Sequence, residues 1–236
     1  MAEVELPHDS DHTHPDVSGG WLRAATFGAM DGLVSNTALI AGVAAGASTH
    51  AVVLSGVAGL LAGAFSMALG EYTSVTTANE QIDAEVNVER RSFALNPRAE
   101  RAELVGMFEN MGLSRDTAER ATEELHGDET KAINFHLIQE LGVDPSEKPS
   151  PRVAAVSSFL MFAVGAIIPL IPYLLGFESL PAGLICGGIG LLVAGGLAAF
   201  VTKQRVWFGS LRQLLFGAIA IGATYVVGSA IGTVIG

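Results

Sequence analysis

Apolar residues fill this chain in five long blocks instead of following the spacing of an amphipathic helix or strand. Each block is long enough to cross a bilayer, which takes about 20 mostly apolar residues in a helix. The predicted spans are about Trp21–Ala47, Ala51–Thr77, Val153–Leu175, Ala182–Thr202 and Leu211–Ile235. The pattern therefore predicts an all-α integral membrane protein with five transmembrane helices.

A polar stretch, residues 78–151, separates the second and third spans and also has helical signals. The second helix is predicted to continue to Leu95, because no break signal intervenes. Asn96-Pro97, Ser114 and Asp128 are typical helix starts. Apolar residues recur there at helical spacing and predict a small core: Leu104, Val105, Phe108, Ala118, Ala121, Leu125, Ile133, Leu137 and Leu141.

The chain thus divides into four parts: a tail (1–20), two spans (21–77), the helical insert (78–151) and three further spans (152–236). The tail has no basic segment before an apolar core and so does not have the pattern of a signal peptide. We expect a disordered polar tail, with a loose collector of metal ions as the alternative. Its potential metal ligands are His8, Asp9, Asp11, His12, His14 and Asp16.

Charge is concentrated in the insert, which holds 16 of the 24 acidic and 8 of the 13 basic residues. The net charge of −11 therefore belongs mainly to the insert and the tail. Such an acidic excess argues against nucleic acid as a partner and is compatible with cations. A single cysteine, Cys186, excludes a disulfide framework and disfavours a thiolate metal site.

Basic residues also predict the orientation of the spans. The links 47–50 and 176–181 contain no lysine or arginine, whereas the insert and the link 203–210 do. Two further basic residues, Arg23 and Arg212, lie at the starts of the first and fifth spans. With five alternating spans, all these basic segments fall on one face of the membrane, which the positive-inside rule makes cytoplasmic. We expect the N-terminus and the insert in the cytoplasm and the C-terminus outside.

Prolines and glycines mark the last three spans. Pro169 and Pro172 interrupt the third span and predict a kink, either static or acting as a gate. The fourth and fifth spans are rich in glycine, which we interpret as close helix packing in lipid.

Two carboxylates and a thioether are candidate ligands within the spans. Asp31 lies well inside the first span, where a charge is costly and usually serves an ion or proton path. Glu71 lies near the far end of the second span, with Met67 one turn earlier. Carboxylate and thioether together favour a borderline transition metal over Ca²⁺ or Mg²⁺.

The insert carries a second group of candidate ligands. Glu100 and Glu103 share one helical face, and His136 and Glu140 share another, with Glu89 on the extension of the second span. Carboxylates and an imidazole on neighbouring helices suit Fe²⁺, Mn²⁺ or Zn²⁺. The alternative from spacing alone is a set of solvated surface acids.

Two membrane segments resemble the vacuolar iron transporter family: MDGLVSNTALIAGVAAG (30–46) and LLAGAFSMALGEYTSV (60–75). The five-span plan and the acidic helical insert are similar as well. The resemblance covers about residues 20–236. It implies a homodimer with five spans per subunit and an ion path at the dimer interface, lined by the first span. Members move Fe²⁺, and often Mn²⁺ or other divalent ions, out of the cytosol in exchange for protons.

The resemblance also implies roles for individual residues. The pore aspartate of the family maps onto Asp31 and the pore methionine onto Met67. A pore glutamate of some members falls on Gly59, and Glu71 is the candidate to compensate for it.

In the insert, the family's metal-binding glutamates map onto Glu89, Glu100, Glu103 and Glu140. Another glutamate position falls on Ser92, and a methionine position falls on His136.

These expectations amount to a secondary transporter of Fe²⁺, with Mn²⁺, Zn²⁺ or Co²⁺ as further substrates, protons as the exchanged ion and no cofactor. A Mn²⁺-preferring exporter is one alternative, and a membrane-anchored metal sensor or buffer without transport is another. The expected location is the inner (plasma) membrane. An enzyme is not expected, because no nucleophile–base pattern or nucleotide-binding loop occurs in the sequence.

Overall fold

In the computed structural model, which describes residues 20–44 and 47–235, the chain is entirely helical apart from turns and links. Residues 1–19, with the ligand-rich tail, lie outside the described residues. The helices, in chain order, are α1 (Trp21–Ala44), α2 (Thr49–Leu95), α3 (Pro97–Asn110), α4 (Arg115–His126), α5 (Glu129–Leu141), α6 (Pro151–Ile167), α7 (Ile171–Leu174), α8 (Leu180–Val201) and α9 (Val206–Ile235).

Within the residues that the structure describes, five helical segments are long and apolar enough to cross a membrane, which confirms the predicted number of spans. They are α1, the apolar first part of α2, α6 with α7, α8 and α9. The fifth span, α9, begins at Val206 and not at the predicted Leu211. The link that precedes it is therefore shorter than predicted. The chain is thus a multi-pass membrane protein.

The first helix is central to the bundle. It packs against α2, α6, α8 and α9, and α8 and α9 also pack against each other. At its crossing with α6 the two backbones touch: a Cβ at Gly32 would lie 2.2 Å from Phe162 O, and one at Gly165 would lie 2.2 Å from Ala29 O. Glycine is therefore required on both helices, because any side chain would force them apart.

The third span is broken where prolines were expected to kink it. A 3₁₀ turn, Ile168–Leu170, separates α6 from the single turn of α7. Pro169 and Pro172 occupy early positions in these two short elements, where a missing N–H is tolerated. Both prolines are buried, so the break faces the interior of the bundle.

The second helix runs without interruption from Thr49 to Leu95 and so leaves the bundle to join the insert. There it packs against α3 and α5, while α4 packs against both of these helices. The apolar centre of the insert consists of Phe93, Leu104, Ala132, Ile133 and Leu137.

The predicted core of the insert was largely right. Leu104, Val105, Ala118, Ile133 and Leu137 are buried as expected. Leu141 was a wrong prediction, because its side chain is 51% exposed in the last turn of α5, just before the left-handed Gly142.

Of the three helix starts predicted in the insert, Asp128 caps its helix with a side-chain hydrogen bond, whereas Asn96 and Ser114 do not. The Asp128 side chain accepts a hydrogen bond from the Lys131 N–H at the start of α5, as predicted for an N-cap. The same contact, with the Lys131 ammonium nearby, lowers the pKa of Asp128. Asn96 ends α2 and begins α3 without a capping bond from its own side chain. This sharp junction turns α3 back against α2.

Candidate metal-transport sites

Five potential metal ligands converge in the insert from three helices. Glu89 comes from the extension of α2, Glu100 and Glu103 from the first half of α3, and His136 and Glu140 from α5. They form two triads, within each of which one ligand atom per residue lies within 4.8 Å of the others: Glu89, His136 and Glu140 in one, Glu100, Glu103 and His136 in the other. The structure thus brings together all five residues that the sequence predicted here.

His136 lies at the centre of this cluster. Its side chain is fully buried, with Nδ1 3.1 Å from Glu89 Oε1 and 3.9 Å from Glu100 Oε2. The shorter contact lacks hydrogen-bond geometry, and within the described residues neither of its two atoms has another hydrogen-bond partner. Buried polar atoms without partners are costly, and a cation bound by both would satisfy them.

Burial and mutual repulsion control the protonation of the cluster. Burial, together with the charges of Glu100 and Glu140, raises the pKa of Glu89 to about 7. Burial also raises the pKa of Glu140, with a further contribution from its contact with Glu103. Burial lowers the pKa of His136, so its imidazole is neutral near pH 7 and has a lone pair for a metal.

Two neighbours of the cluster have contacts that were not predicted from the sequence. Ser92 donates a hydrogen bond to Glu100 Oε1, which holds that carboxylate in place. Phe93 packs edge-on against His136, with ring centroids 5.1 Å apart. The family resemblance places a metal-binding glutamate at position 92. The serine found there cannot replace that carboxylate, but it orients the neighbouring ligand Glu100.

A second site is a cavity of about 450 Å³ within the membrane bundle, between α1, α2 and α6. Asp31 and Met67, the two predicted pore ligands, both line it. The other lining residues are Ser35, Asn36, Leu39, Gly59, Gly63, Ser66 and Phe162. The structure thus places a carboxylate and a thioether in one cavity near the middle of the first span.

Asp31 is exposed on the surface of the single chain, as is Ser35 one turn further along α1. The Ser35 hydroxyl donates to the Asp31 backbone carbonyl at 2.6 Å, so this hydrogen bond does not go to the Asp31 carboxylate. The described part of the chain therefore leaves one side of the cavity open.

Glu71 does not line this cavity. Its carboxylate instead forms an ion pair with Arg23, with 2.9 Å between Oε2 and the arginine Nη2. Glu71 is almost buried, whereas the Arg23 side chain is 64% exposed. The pair joins the first turn of α1 to α2, one turn beyond Met67.

The two candidate sites are joined by one continuous helix. Met67 and Glu89 both lie on α2, and 22 residues of helix correspond to about 33 Å along its axis. The return linker is held against the same helix: Asn79 donates to the Pro149 carbonyl at 3.0 Å, and Lys148 pairs with Asp83. The cluster in the insert thus stands well away from the cavity in the bundle.

Comparison with known proteins gives a family for this combination of bundle and insert. The family model described as "VIT family" matches residues 22–229, which is most of the chain.

The chain belongs to the VIT family.

Named relatives of this VIT-family chain are also similar over most of their length. A vacuolar iron transporter of Acanthamoeba castellanii is 34% identical over 218 residues, covering 89% of this chain and 78% of the relative. Vacuolar iron transporter 1 of Oryza sativa subsp. japonica is 29% identical over 243 residues, covering 99% and 95%. Vacuolar iron transporter homolog 5 of the same plant is 34% identical over 209 residues, covering 87% and 77%.

Proposed function

We propose that this protein exports Fe²⁺ or a similar divalent ion from the cytosol in exchange for protons. The observation that carries the proposal is the cavity in the bundle, where Asp31 and Met67 come together. A carboxylate inside a membrane span is costly, and one that is present there usually serves an ion or proton path. The names of the relatives, which describe iron transporters, support the same class of substrate.

Asp31 offers a simple basis for the exchange. An ionised carboxylate binds a divalent cation, whereas a protonated one does not, because proton and metal compete for the same lone pairs. Metal release on the outer side would leave Asp31 free to take up a proton, which then leaves on the inner side. Met67 adds a soft donor that favours transition metals over Ca²⁺ and Mg²⁺.

The ion path is proposed to lie between two copies of the chain. Asp31 and Ser35 are on the surface of the single chain, where lipid would otherwise contact them. A polar surface in the bilayer core is disfavoured, and a second subunit placed over it would cover the carboxylate and close the cavity.

The insert is proposed to collect the metal on the cytoplasmic side. Glu89, Glu100, Glu103, His136 and Glu140 are its proposed ligands. The positive-inside rule supports the orientation, because Arg23, Lys203, Arg205 and the basic residues of the insert belong to one face. The proposed location is the plasma (inner) membrane. Glu71, paired with Arg23, could join the path only after leaving that ion pair.

Transport into proteoliposomes tests the proposal. Asp31→Asn should abolish metal uptake, because an amide in place of the carboxylate neither exchanges a proton nor provides the negative charge. Glu178→Gln is the matched control, since Glu178 is an exposed acid in the short link between α7 and α8. Wild-type rates in Asp31→Asn would contradict the proposal.

The alternatives predict different results in the same assay. A Mn²⁺-preferring exporter would transport Mn²⁺ in preference to Fe²⁺ when both are present. A sensor or buffer would bind metal through the insert and show no metal-dependent flux.

A further inference from the structure

A single hydrogen bond fixes the orientation of the Asn36 side-chain amide. Its Nδ2 donates to the backbone carbonyl of Ala166 at 2.6 Å, in the last full turn of α6. Only the nitrogen of the amide can donate, so Oδ1 must point the other way. The residue as a whole is only 2% exposed.

The Oδ1 atom of Asn36 is left without a hydrogen-bond partner among the residues that the structure describes. Such an atom is costly in a protein interior, and still more so in a bilayer, where water cannot satisfy it. A tie between α1 and α6 accounts for the nitrogen of this amide but not for its oxygen.

Asn36 Oδ1 lies near the cavity in the membrane bundle. Asn36 lines the same cavity as Asp31 and Met67. A Cβ at Gly59, on the facing helix, would lie 3.3 Å from Oδ1 and 2.5 Å from Leu39 Cδ2. The missing side chain at Gly59 thus leaves room near the oxygen, and only the flexible end of Leu39 occupies that room.

We propose that Asn36 is a third ligand for the transported ion and that its amide oxygen tunes the selectivity of the cavity. This proposal rests on the proposed transport function. An ion held by Asp31 and Met67 would reach Oδ1 once the end of Leu39 turns aside. The hydrogen bond to the Ala166 carbonyl fixes the amide nitrogen, so the oxygen is the atom of Asn36 that is left for an ion.

The chemistry of an amide oxygen indicates which ions would benefit. Carbonyl and carboxylate oxygens suit Mn²⁺, whereas thioethers suit softer ions. Asn36 and Asp31 together would offset the soft donor of Met67. Removing the amide oxygen should therefore impair Mn²⁺ transport more than Zn²⁺ transport.

The test compares initial rates of Mn²⁺ and Zn²⁺ uptake at low concentration in proteoliposomes of the full chain. Asn36→Leu should lower the Mn²⁺-to-Zn²⁺ ratio about tenfold, the low end of the effect of disturbing a metal site. Asn36→Asp loses the donor to Ala166 but keeps an oxygen ligand, so its ratio should equal or exceed that of the wild type. If Asn36 only ties α1 to α6, Asn36→Leu and Asn36→Asp should lower Mn²⁺ and Zn²⁺ uptake by the same factor and leave the ratio unchanged.

A second substitution leaves the tie to Ala166 intact. Gly59→Ala should lower the same ratio, because its methyl group would crowd Oδ1 while displacing only the movable end of Leu39. Gly70→Ala is the matched control on the same helix, since a Cβ there meets no atom within 4 Å. If Asn36→Leu fails to fold, Gly59→Ala against Gly70→Ala decides the question.

The outcomes separate this proposal from the function on which it rests. A wild-type ratio in both Asn36→Leu and Gly59→Ala, with wild-type protein active, would overturn the role of Asn36 alone. A wild-type protein that moves none of Mn²⁺, Zn²⁺ and Fe²⁺ would overturn the transport function and this assignment with it.

Discussion

At the scale of single residues, protonation links the insert to its proposed metal. The cluster crowds four carboxylates around one neutral imidazole, and the pKa of Glu89 is raised to about 7 as a result. A bound cation reverses this effect, because it stabilises the ionised carboxylates. Binding should therefore release protons in the physiological pH range.

Metal affinity of the insert should fall as the pH is lowered. Below pH 7, Glu89 holds a proton that a cation must displace, so one such proton weakens binding about tenfold per pH unit. Above its pKa the residue is ionised, and this contribution to the slope disappears. Calorimetric titration of the full chain with Mn²⁺ at pH 6, 7 and 8 measures the effect.

The Glu89→Gln variant should bind Mn²⁺ more weakly at pH 8 and lose the part of the pH dependence due to Glu89. Glu119→Gln provides the control, because Glu119 is an acid of the same insert that pairs with Arg115 outside the cluster. An unchanged pH slope in Glu89→Gln would refute this account of the cluster.

Individual ligands were predictable to different degrees. Asp31 stood out in the sequence because a charge in an apolar span is rare, and the insert acids stood out through helical spacing and family resemblance. Asn36 was missed because it is uncharged and lies in a segment rich in small polar residues. Its importance depends on which amide atom is bonded, which only the fold reveals.

At the scale of helices, the contact between α1 and α6 positions the cavity. Gly32 and Gly165 allow the backbones to touch, and Phe162 of α6 forms a wall of the cavity beside Asp31. A shift of α6 would therefore also shift Ala166, to which Asn36 is bonded.

Gly32→Ala should destabilise the bundle by about 1–3 kcal/mol, a cost typical of overpacking. The new methyl group would meet a rigid backbone carbonyl, so relief requires the helices to separate. Gly106→Ala, in the middle of α3 with free space around it, should instead stabilise by about 0.5–1 kcal/mol through helix propensity. Thermal unfolding in detergent compares the two, and equal stabilities would contradict the interpretation of the crossing.

Hydropathy predicted the elements well because lipid demands long apolar helices whose backbones bond internally. The continuity of α2 into the insert was predictable for a different reason, because no residue near Thr77 breaks a helix. The start of α9 was harder to predict. Val206–Ser210 are compatible with either helix or link, and packing against α8 favours the helix.

At the scale of the whole molecule, the open side of the cavity argues for a second subunit. Ser35 is exposed beside Asp31 and should lie near its counterpart across the proposed interface. Val193, on α8, is 54% exposed and belongs to a surface that we assign to lipid.

Cross-linking tests this arrangement in membranes. In a Cys186→Ser background, Ser35→Cys should form a disulfide-linked dimer on mild oxidation, because the proposed interface brings the two copies of residue 35 together. A disulfide requires the two Cα atoms to lie within about 7 Å of each other. Val193→Cys in the same background should remain monomeric on a denaturing gel. The reverse pattern would place the interface elsewhere.

The most direct test of the account measures metal and proton movement together. Proteoliposomes carrying a pH gradient would report Fe²⁺ uptake and proton counterflow for wild type, Asp31→Asn and Glu178→Gln. We expect coupled movement of both ions in wild type and Glu178→Gln, and neither in Asp31→Asn. Metal uptake without proton movement in wild type, or coupled transport in Asp31→Asn, would contradict the central claim that Asp31 exchanges metal for protons.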